Sequence, residues 1–330
     1  MMRKTYLGRT GLEISEIAFG GGVTGGILIN SDETTRYAAL RRAVMSGINW
    51  IDTAPVYGNG ASEETIGRHL EQLIPRPHIS TKVRLEADDL DDIPGAIEHS
   101  LEQSLQRLRT DRVALFQLHN HLGEAVGSRL ALSPAQVLMR GGVADTFDRL
   151  KEQGMIEATG ITAAGDTGAC LDVIGSGRFD AAQVYYNAIN PTAAWRRVPP
   201  DWSGGQALCG ILAACFNENM GVLNIRVWAG GLLATAERPE RLFVITQDTD
   251  LENEMRCATA VRSALGFDYG SPAQAALRFA LGNRDLTSRV VGITKLEQLE
   301  EAIDAVAQGP LPSAAISKLD VLWANDFRVG

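Results

Sequence analysis

Eight short runs of β-branched and apolar residues alternate along this chain with longer segments of helical periodicity, and that alternation constrains the fold more than any other feature. The runs are EIAFG (16–20), NWID (49–52), HISTK (78–82), VALFQLH (113–119), MIEATGI (155–161), AAQVYY (181–186), GVLNIRV (221–227) and RVVGI (289–293). Between them, apolar residues recur about every 3.6 positions over 33–46, 63–73, 92–109, 141–153, 167–176, 205–219, 250–283 and 296–307. In one of these segments Leu101, Leu105 and Leu108 share a side, opposite Glu102, Gln106 and Arg109. Strand followed by helix, eight times over, predicts an α/β chain folded as a parallel (β/α)8 TIM barrel rather than an open two-domain sheet. A length of 330 residues suits one such domain, 1–330.

Boundary signals agree with this pattern. Ser31 and Asp32 precede one helix, Ser133 and Pro134 open a turn, and Ser271 with Pro272 starts SPAQAALRFAL. In SGIN, QGMI and NMGV a glycine stands where a helix C-cap is expected, just ahead of a strand. Residues 3–17 alternate around RTG as a β-hairpin would, and 312–326 predict an extra C-terminal helix. Residues 187–205 form a long Pro, Gly and Trp loop after the sixth strand, a length that compact domains usually reserve for function.

Composition narrows the partners. The formal charge is −9 and the basic residues form no run, which argues against nucleic acid. Apolar stretches break well short of the ~20 residues of a membrane span, and the N-terminus lacks a signal-like apolar region, so a cytoplasmic chain is expected. The four cysteines, Cys170, Cys209, Cys215 and Cys257, lack CxxC spacing and predict reduced, structural thiols, with a reactive Cys209 or Cys215 as the alternative.

A barrel of this type places its chemistry at the carboxyl ends of its strands. The second, third and fourth runs end in Asp52, Lys82 and His119, and Tyr57 follows Asp52 in a Pro and Gly loop. Taken alone, Asp52 and Tyr57 could be a capped turn with a covering aromatic. A lysine beside Asp, Tyr and His at adjoining strand ends is harder to assign to chance. His119 and His121 could chelate a metal, but no nearby carboxylate or thiol completes a ligand set, and no metal site is expected.

The stretch GINWIDTAPVYGNGASEETIGRHL resembles the signature of the aldo-keto reductase family, and STK and LHNH supply its other elements in order. YLGRTGLEISEIAFGGG is similar to the family's N-terminal hairpin and first strand, and DAAQVYYNAINP to its sixth strand. The resemblance covers nearly the whole chain. It implies a soluble NAD(P)-dependent oxidoreductase that moves hydride between nicotinamide and a small carbonyl, alcohol or sugar lactol, acting as a monomer or small homo-oligomer. Tyr57 would carry the proton, Lys82 would stabilise its phenolate, Asp52 would hold Lys82, and His119 would bond the substrate oxygen. A free tyrosine titrates near ~10, so the lysine is needed if Tyr57 is to act as a base at neutral pH.

The resemblance also implies a cofactor surface. Gly21, in the glycine-rich GGGVTGG, would allow close backbone approach, and Asp52 would lie beside the nicotinamide. Thr162 and Gln183 match the residues that hold the carboxamide. Ile225 stands where many members carry a stacking tyrosine, with Arg226 beside it. Gly292, Thr294, Lys295 and Gln298 would meet the adenosine phosphate, and the scarcity of cations there favours NAD(H), although Lys295 could still bind a phosphate. The absence of a G-x-G-x-x-G motif does not conflict with this family. Trp195, Trp202, Trp228 and the segment NHLGEAVGSR are expected to line the substrate pocket, with Trp228 as either a stacking platform or loop packing. Arg196 and Arg197 could attract an acidic group or simply be solvated. The branch most resembled oxidises free sugars; the competing readings are a small aldehyde or ketone (pyridoxal-type) reductase, a non-catalytic cofactor-binding regulatory subunit, and a phosphate-binding isomerase.

Overall fold

A computed structural model describes residues 2–124, 130–237, 246 and 250–328. The strands are β1 (Lys4–Tyr6), β2 (Glu13–Ser15), β3 (Ile17–Gly20), β4 (Trp50–Asp52), β5 (His78–Val83), β6 (Val113–Leu118), β7 (His121–Leu122), β8 (Ala131–Leu132), β9 (Ile156–Ala163), β10 (Ala181–Tyr185), β11 (Gly221–Ile225) and β12 (Ser288–Gly292). The helices are α1 (Ile27–Asn30), α2 (Glu33–Met45), α3 (Ala61–His69), α4 (Ile93–Leu108), α5 (Pro134–Leu138), α6 (Val143–Glu152), α7 (Thr167–Gly175), α8 (Ile211–Asn217), α9 (Leu251–Leu265), α10 (Pro272–Leu281), α11 (Leu296–Gln308) and α12 (Ser313–Ala324).

Eight strands close into a parallel barrel in the order β10-β11-β12-β3-β4-β5-β6-β9, and each overlaps one of the runs seen in the sequence. The alternation of side chains explains why those runs are apolar on both faces. Ile51, Ile79, Val83, Phe116, Leu118, Ala182 and Val184 point outward into the large core shared with the helices. Ala18, Trp50, Leu115, Ala158, Ala181 and Leu223 point inward and form a second cluster, which Leu7 and Ile14 join from the hairpin β1–β2. The hairpin therefore plugs one end of the barrel.

Helix ends follow the local chemistry. Asp32, Ser133 and Ser271 each cap a helix N-terminus with the side chain, and Gly47 and Gly154 take positive φ after α2 and α6. The cap expected at Gly221 is instead Asn219, with φ 50°. Gly221 belongs to β11, and a Cβ there would lie 2.3 Å from Leu7 Cδ1, so the glycine is required by the hairpin's close approach. The helix expected over 205–219 begins only at Ile211, and the segment 250–283 divides where Gly266 ends α9 and Ser271 starts α10. Among the described residues no helix is long and apolar enough to cross a membrane.

The plug is fastened by a buried carboxylate. Asp180 accepts from Arg9 Nε at 3.1 Å, Lys151 Nζ at 2.7 Å and the Thr159 backbone N–H at 3.0 Å. Arg9 also donates to the carbonyls of Gly177, Phe179 and Glu218. Burial opposes the charge on Asp180, but its bonds from Lys151, Thr159 and Arg9 outweigh that and hold its carboxyl below the ordinary range. A carboxyl lowered in this way contributes stability above its unfolded pKa and loses it as pH falls through the folded one. Asp180→Asn is therefore expected to destabilise the protein by about 1–3 kcal/mol at neutral pH. In denaturant titrations the gap to the parent should narrow at acid pH; an undiminished gap there would rule out the ionic contribution.

Candidate active site

Register brings the three strand-end residues together. Asp52 on β4 pairs with Ser80 on β5, and Lys82 on β5 pairs with Gln117 on β6, all with side chains facing the barrel axis. Lys82 is fully buried; its Nζ donates to Asp52 Oδ2 and to the Thr53 carbonyl, both at 2.7 Å. The other Asp52 oxygen accepts from Ser80 Oγ at 2.8 Å, Gln183 Nε2 at 2.8 Å and Gln117 Nε2 at 3.3 Å. Trp50 Nε1 donates to Ser80 Oγ from the layer below. A buried charge pair is tolerated only when its remaining valences are satisfied, and here both partners meet that condition.

Tyr57 reaches the same point from the loop after β4. Gly58 and Gly60 take positive φ and give the loop its turn, while Thr53 Oγ1 bonds Ser62 Oγ across it. The fully buried Glu63 of α3 accepts from Thr81 Oγ1 and from Arg107 Nε, tying the helix that follows Tyr57 to the strand that carries Lys82. Lys82 Nζ lies 4.8 Å from the centroid of the Tyr57 ring. The His119 ring meets Tyr57 edge-on, with centroids 5.8 Å apart and planes at 88°.

These surroundings set the protonation states. Burial raises the Tyr57 hydroxyl above its ordinary pKa, and the nearby Lys82 ammonium only partly offsets it. Burial alone would lower Lys82, but Asp52 and then Tyr57 outweigh it and the ammonium is raised. His119 is driven well below its usual value, by burial first and then by Lys82, Arg84 and His121, and is a neutral imidazole at neutral pH. The arrangement can donate a proton from tyrosine, hold the resulting phenolate against a fixed ammonium, and offer a neutral imidazole to an oxygen.

The cleft above these residues has a volume of about 910 Å³. Its walls include Asp52, Tyr57, His119, Thr162, Gln183, Ile225, Arg226, Gly292, Thr294, Gln298 and Trp228 from the sequence-based expectation. Gly21 does not line it; Gly20 and Gly22 do, while the Gly21 N–H bonds the Asp52 carbonyl and a Cβ there would strike Ser62 Oγ at 2.5 Å. Lys295 is also absent from the lining and sits at the N-terminus of α11, its backbone N–H bonded to Gln298 Oε1.

Trp195 and Trp202 lie elsewhere. They pack edge to face, 5.3 Å between centroids, and continue into Trp323 of α12 and Phe327. Their loop is an aromatic seat for the C-terminal helix, and neither lines the cleft. Arg196 and Arg197 are exposed outside it. In NHLGEAVGSR, Asn120 and His121 line the cleft, whereas residues 125–129 lie outside the described residues. Burial pushes the Cys170 and Cys215 thiols up to about 12 and Cys257 to about 11, and Cys209 upward as well, which leaves them poor nucleophiles.

Sequence reasoning missed Ser80 as a partner of Asp52, Gln117 as its further donor, and Arg84 and Glu301 in the wall. Gly160 makes the Gln117 contact possible, because a Cβ there would come 2.9 Å from Gln117 Cγ. A nicotinamide dinucleotide fits the residues present. Thr162 Oγ1 is buried at the cleft with no hydrogen-bond partner among the described residues, beside Gln183, as suits a wall that receives an amide. Gly20, Gly22, Gly25 and Gly26 line the cleft; at Gly25 a Cβ would lie 2.4 Å from the Ile293 nitrogen, so that glycine lets its loop pack against the end of β12.

Comparison with known proteins agrees with this architecture. The Aldo/keto reductase family model matches residues 16–324. L-galactose dehydrogenase of Arabidopsis thaliana is 26% identical over 92% of this chain and 87% of its own length. D-threo-aldose 1-dehydrogenase of a Pseudomonas species is 26% identical over 90% and 91%, and pyridoxal 4-dehydrogenase of Microbacterium luteolum 24% over 91% and 92%. An aldo-keto reductase from Bacillus halodurans, solved in its holo form, superposes with a TM-score of 0.72 at 21% identity, covering 99% of this chain and 100% of that one, a likeness of fold.

Proposed function

The chain belongs to the aldo/keto reductase family, and on that premise we propose that it is a nicotinamide-dependent oxidoreductase acting on a small carbonyl compound or its alcohol or lactol, with Tyr57 carrying the proton. The observation that carries this reading is the buried Lys82, clamped by Asp52 and Thr53 under the ring of Tyr57, with His119 edge-on to the same ring. Thr162 and Gln183 would hold the carboxamide of the cofactor. Ile225 and Arg226 would flank the ring, and Thr294, Gln298 and Glu301 would meet the adenosine end. When bound, the cofactor supplies or accepts the hydride.

The remaining chemistry belongs to the protein. A hydroxyl held protonated by its surroundings is suited to donate as negative charge develops on a carbonyl oxygen. Lys82 is already in place to stabilise the phenolate, so little reorganisation is required. His119, neutral, donates one ring N–H to the same oxygen and fixes its position between the two groups. In the oxidative direction Tyr57 accepts the proton and the same ammonium lowers the cost of that state.

Relatives named for L-galactose and D-threo-aldose support a sugar lactol as substrate, and the one named for pyridoxal keeps small aromatic aldehydes in view. At the adenosine end the lining offers Thr294, Gln298 and the carboxylate of Glu301, which supports NAD(H) over a phosphorylated cofactor. Absorbance assays with NADH and NADPH across sugars, aldehydes and pyridoxal are expected to show turnover with NADH at a kcat/KM at least about tenfold higher, the size of one lost charge-assisted contact. Preference for NADPH would overturn the cofactor assignment, and no turnover with either across the panel would overturn the enzymatic one.

A further inference from the structure

The substrate side of the cleft carries a cation that the hydride-transfer site does not use. Arg84 stands one residue beyond β5. The pairing of Lys82 with Gln117 and Val83 with Leu118 continues to set Arg84 beside His119, whose N–H donates to the Val83 carbonyl at 2.8 Å. Strand alternation puts Arg84 on the same side as Lys82, and its side chain lines the cleft with Val56, Tyr57 and His119. The side chain is 34% exposed.

Its carboxylate neighbour holds it weakly. Glu86 Oε1 is 3.4 Å from Arg84 Nε and its side chain is 66% exposed, too long and too wet for a strong pair. Glu86 starts the short helical turn Ala87–Asp91 through its backbone, its N–H donating to Asp89 Oδ2 at 2.7 Å. Lys82, by contrast, is buried and satisfied by Asp52 and Thr53.

We infer that the substrate of this cleft carries a carboxylate a few bonds from the reacting carbon, and that Arg84 is the specificity residue that reads it. This rests on the reading of Tyr57 and His119 as the reacting centre. The guanidinium fork matches a carboxylate through two parallel N–H···O bonds. A phosphate dianion gathers more donors than one fork supplies. The charge of Arg84 already reaches the centre, since it contributes to the lowered pKa of His119. Oxo acids and acidic sugars in their aldehyde form belong to this class.

Two measurements on the intact enzyme separate this subsite from the chemistry beside it. Calorimetric titration of the enzyme with NAD bound compares succinate with succinamide, and steady-state assays with NADH compare succinic semialdehyde with butanal. The acid member of each pair is expected to be favoured by at least about tenfold, with the preference lost in Arg84→Met, partly kept in Arg84→Lys and weakened by salt. Arg84→Met should lower kcat/KM for succinic semialdehyde at least about tenfold more than for butanal, because only the acid loses a charge-assisted contact. Equal binding of succinate and succinamide by the parent, or an acid preference that survives in Arg84→Met, overturns the inference. Higher kcat/KM for glycolaldehyde phosphate than for succinic semialdehyde overturns the carboxylate assignment. If succinate binds in an Arg84-dependent manner but neither aldehyde is reduced, the subsite stands and the hydride-transfer reading fails.

Discussion

Tyr57→Phe is expected to lower kcat by about 10³ while leaving cofactor affinity within about twofold, because it removes one hydroxyl from the proton path and nothing from the cofactor wall. The ring remains, so its edge-on contact with His119 and its position over Lys82 are retained. No buried donor loses its partner either, since Lys82 keeps Asp52 and Thr53. The variant should fold as the parent does, and melting curves check this directly. Unchanged turnover in a well-folded Tyr57→Phe enzyme would sink the proposed mechanism. The same experiment distinguishes a regulatory cofactor-binding role, for which the parent would bind NADH and turn over nothing.

What the sequence made legible depends on how local the physics is. The barrel could be read because each strand is buried on both faces and each helix on one, so both periods are written into contiguous residues. The proposed site could be read in part because barrels gather chemistry at strand ends, where Asp52, Lys82 and His119 stand. The same parity rule would have found Ser80, Gln117 and Arg84, which share the inward faces of Lys82 and His119 on β5 and β6 and their extensions. Glu301 was likewise one helical turn from Gln298 on a face already under suspicion.

Other residues were illegible for a different reason. Trp195 and Trp202 were expected at the substrate pocket because aromatic residues in a long loop after a strand commonly face the cleft. Their actual partners, Trp323 and Phe327, lie more than a hundred positions away, and nothing local announces that the last helix needs an aromatic seat. Gly21 failed similarly: a glycine tolerates a ligand's approach and a serine's approach equally well, and here Ser62 is what it accommodates.

The Asp52–Lys82 pair yields the second large effect, and its two halves should not be equivalent. If Lys82 is replaced by Met, Asp52 keeps the Ser80 hydroxyl and the Gln183 and Gln117 amides as donors, so its charge remains solvated by the protein. If Asp52 is replaced by Leu, Lys82 keeps one acceptor, the Thr53 carbonyl, and Ser80, Gln117 and Gln183 lose theirs together. Removing one partner of a buried ion pair costs about 3–5 kcal/mol, and Asp52→Leu is expected at or above that range. Lys82→Met should cost less, about 1–3 kcal/mol, with a fall in kcat comparable to Tyr57→Phe because the phenolate loses its ammonium. The double variant should be more stable than Asp52→Leu alone, since it no longer buries an uncompensated cation. Urea unfolding of the three variants checks this ordering. Equal destabilisation by the two single variants, or simple additivity in the double, would mean that the cage of Ser80, Gln117 and Gln183 does not support the carboxylate as its geometry requires.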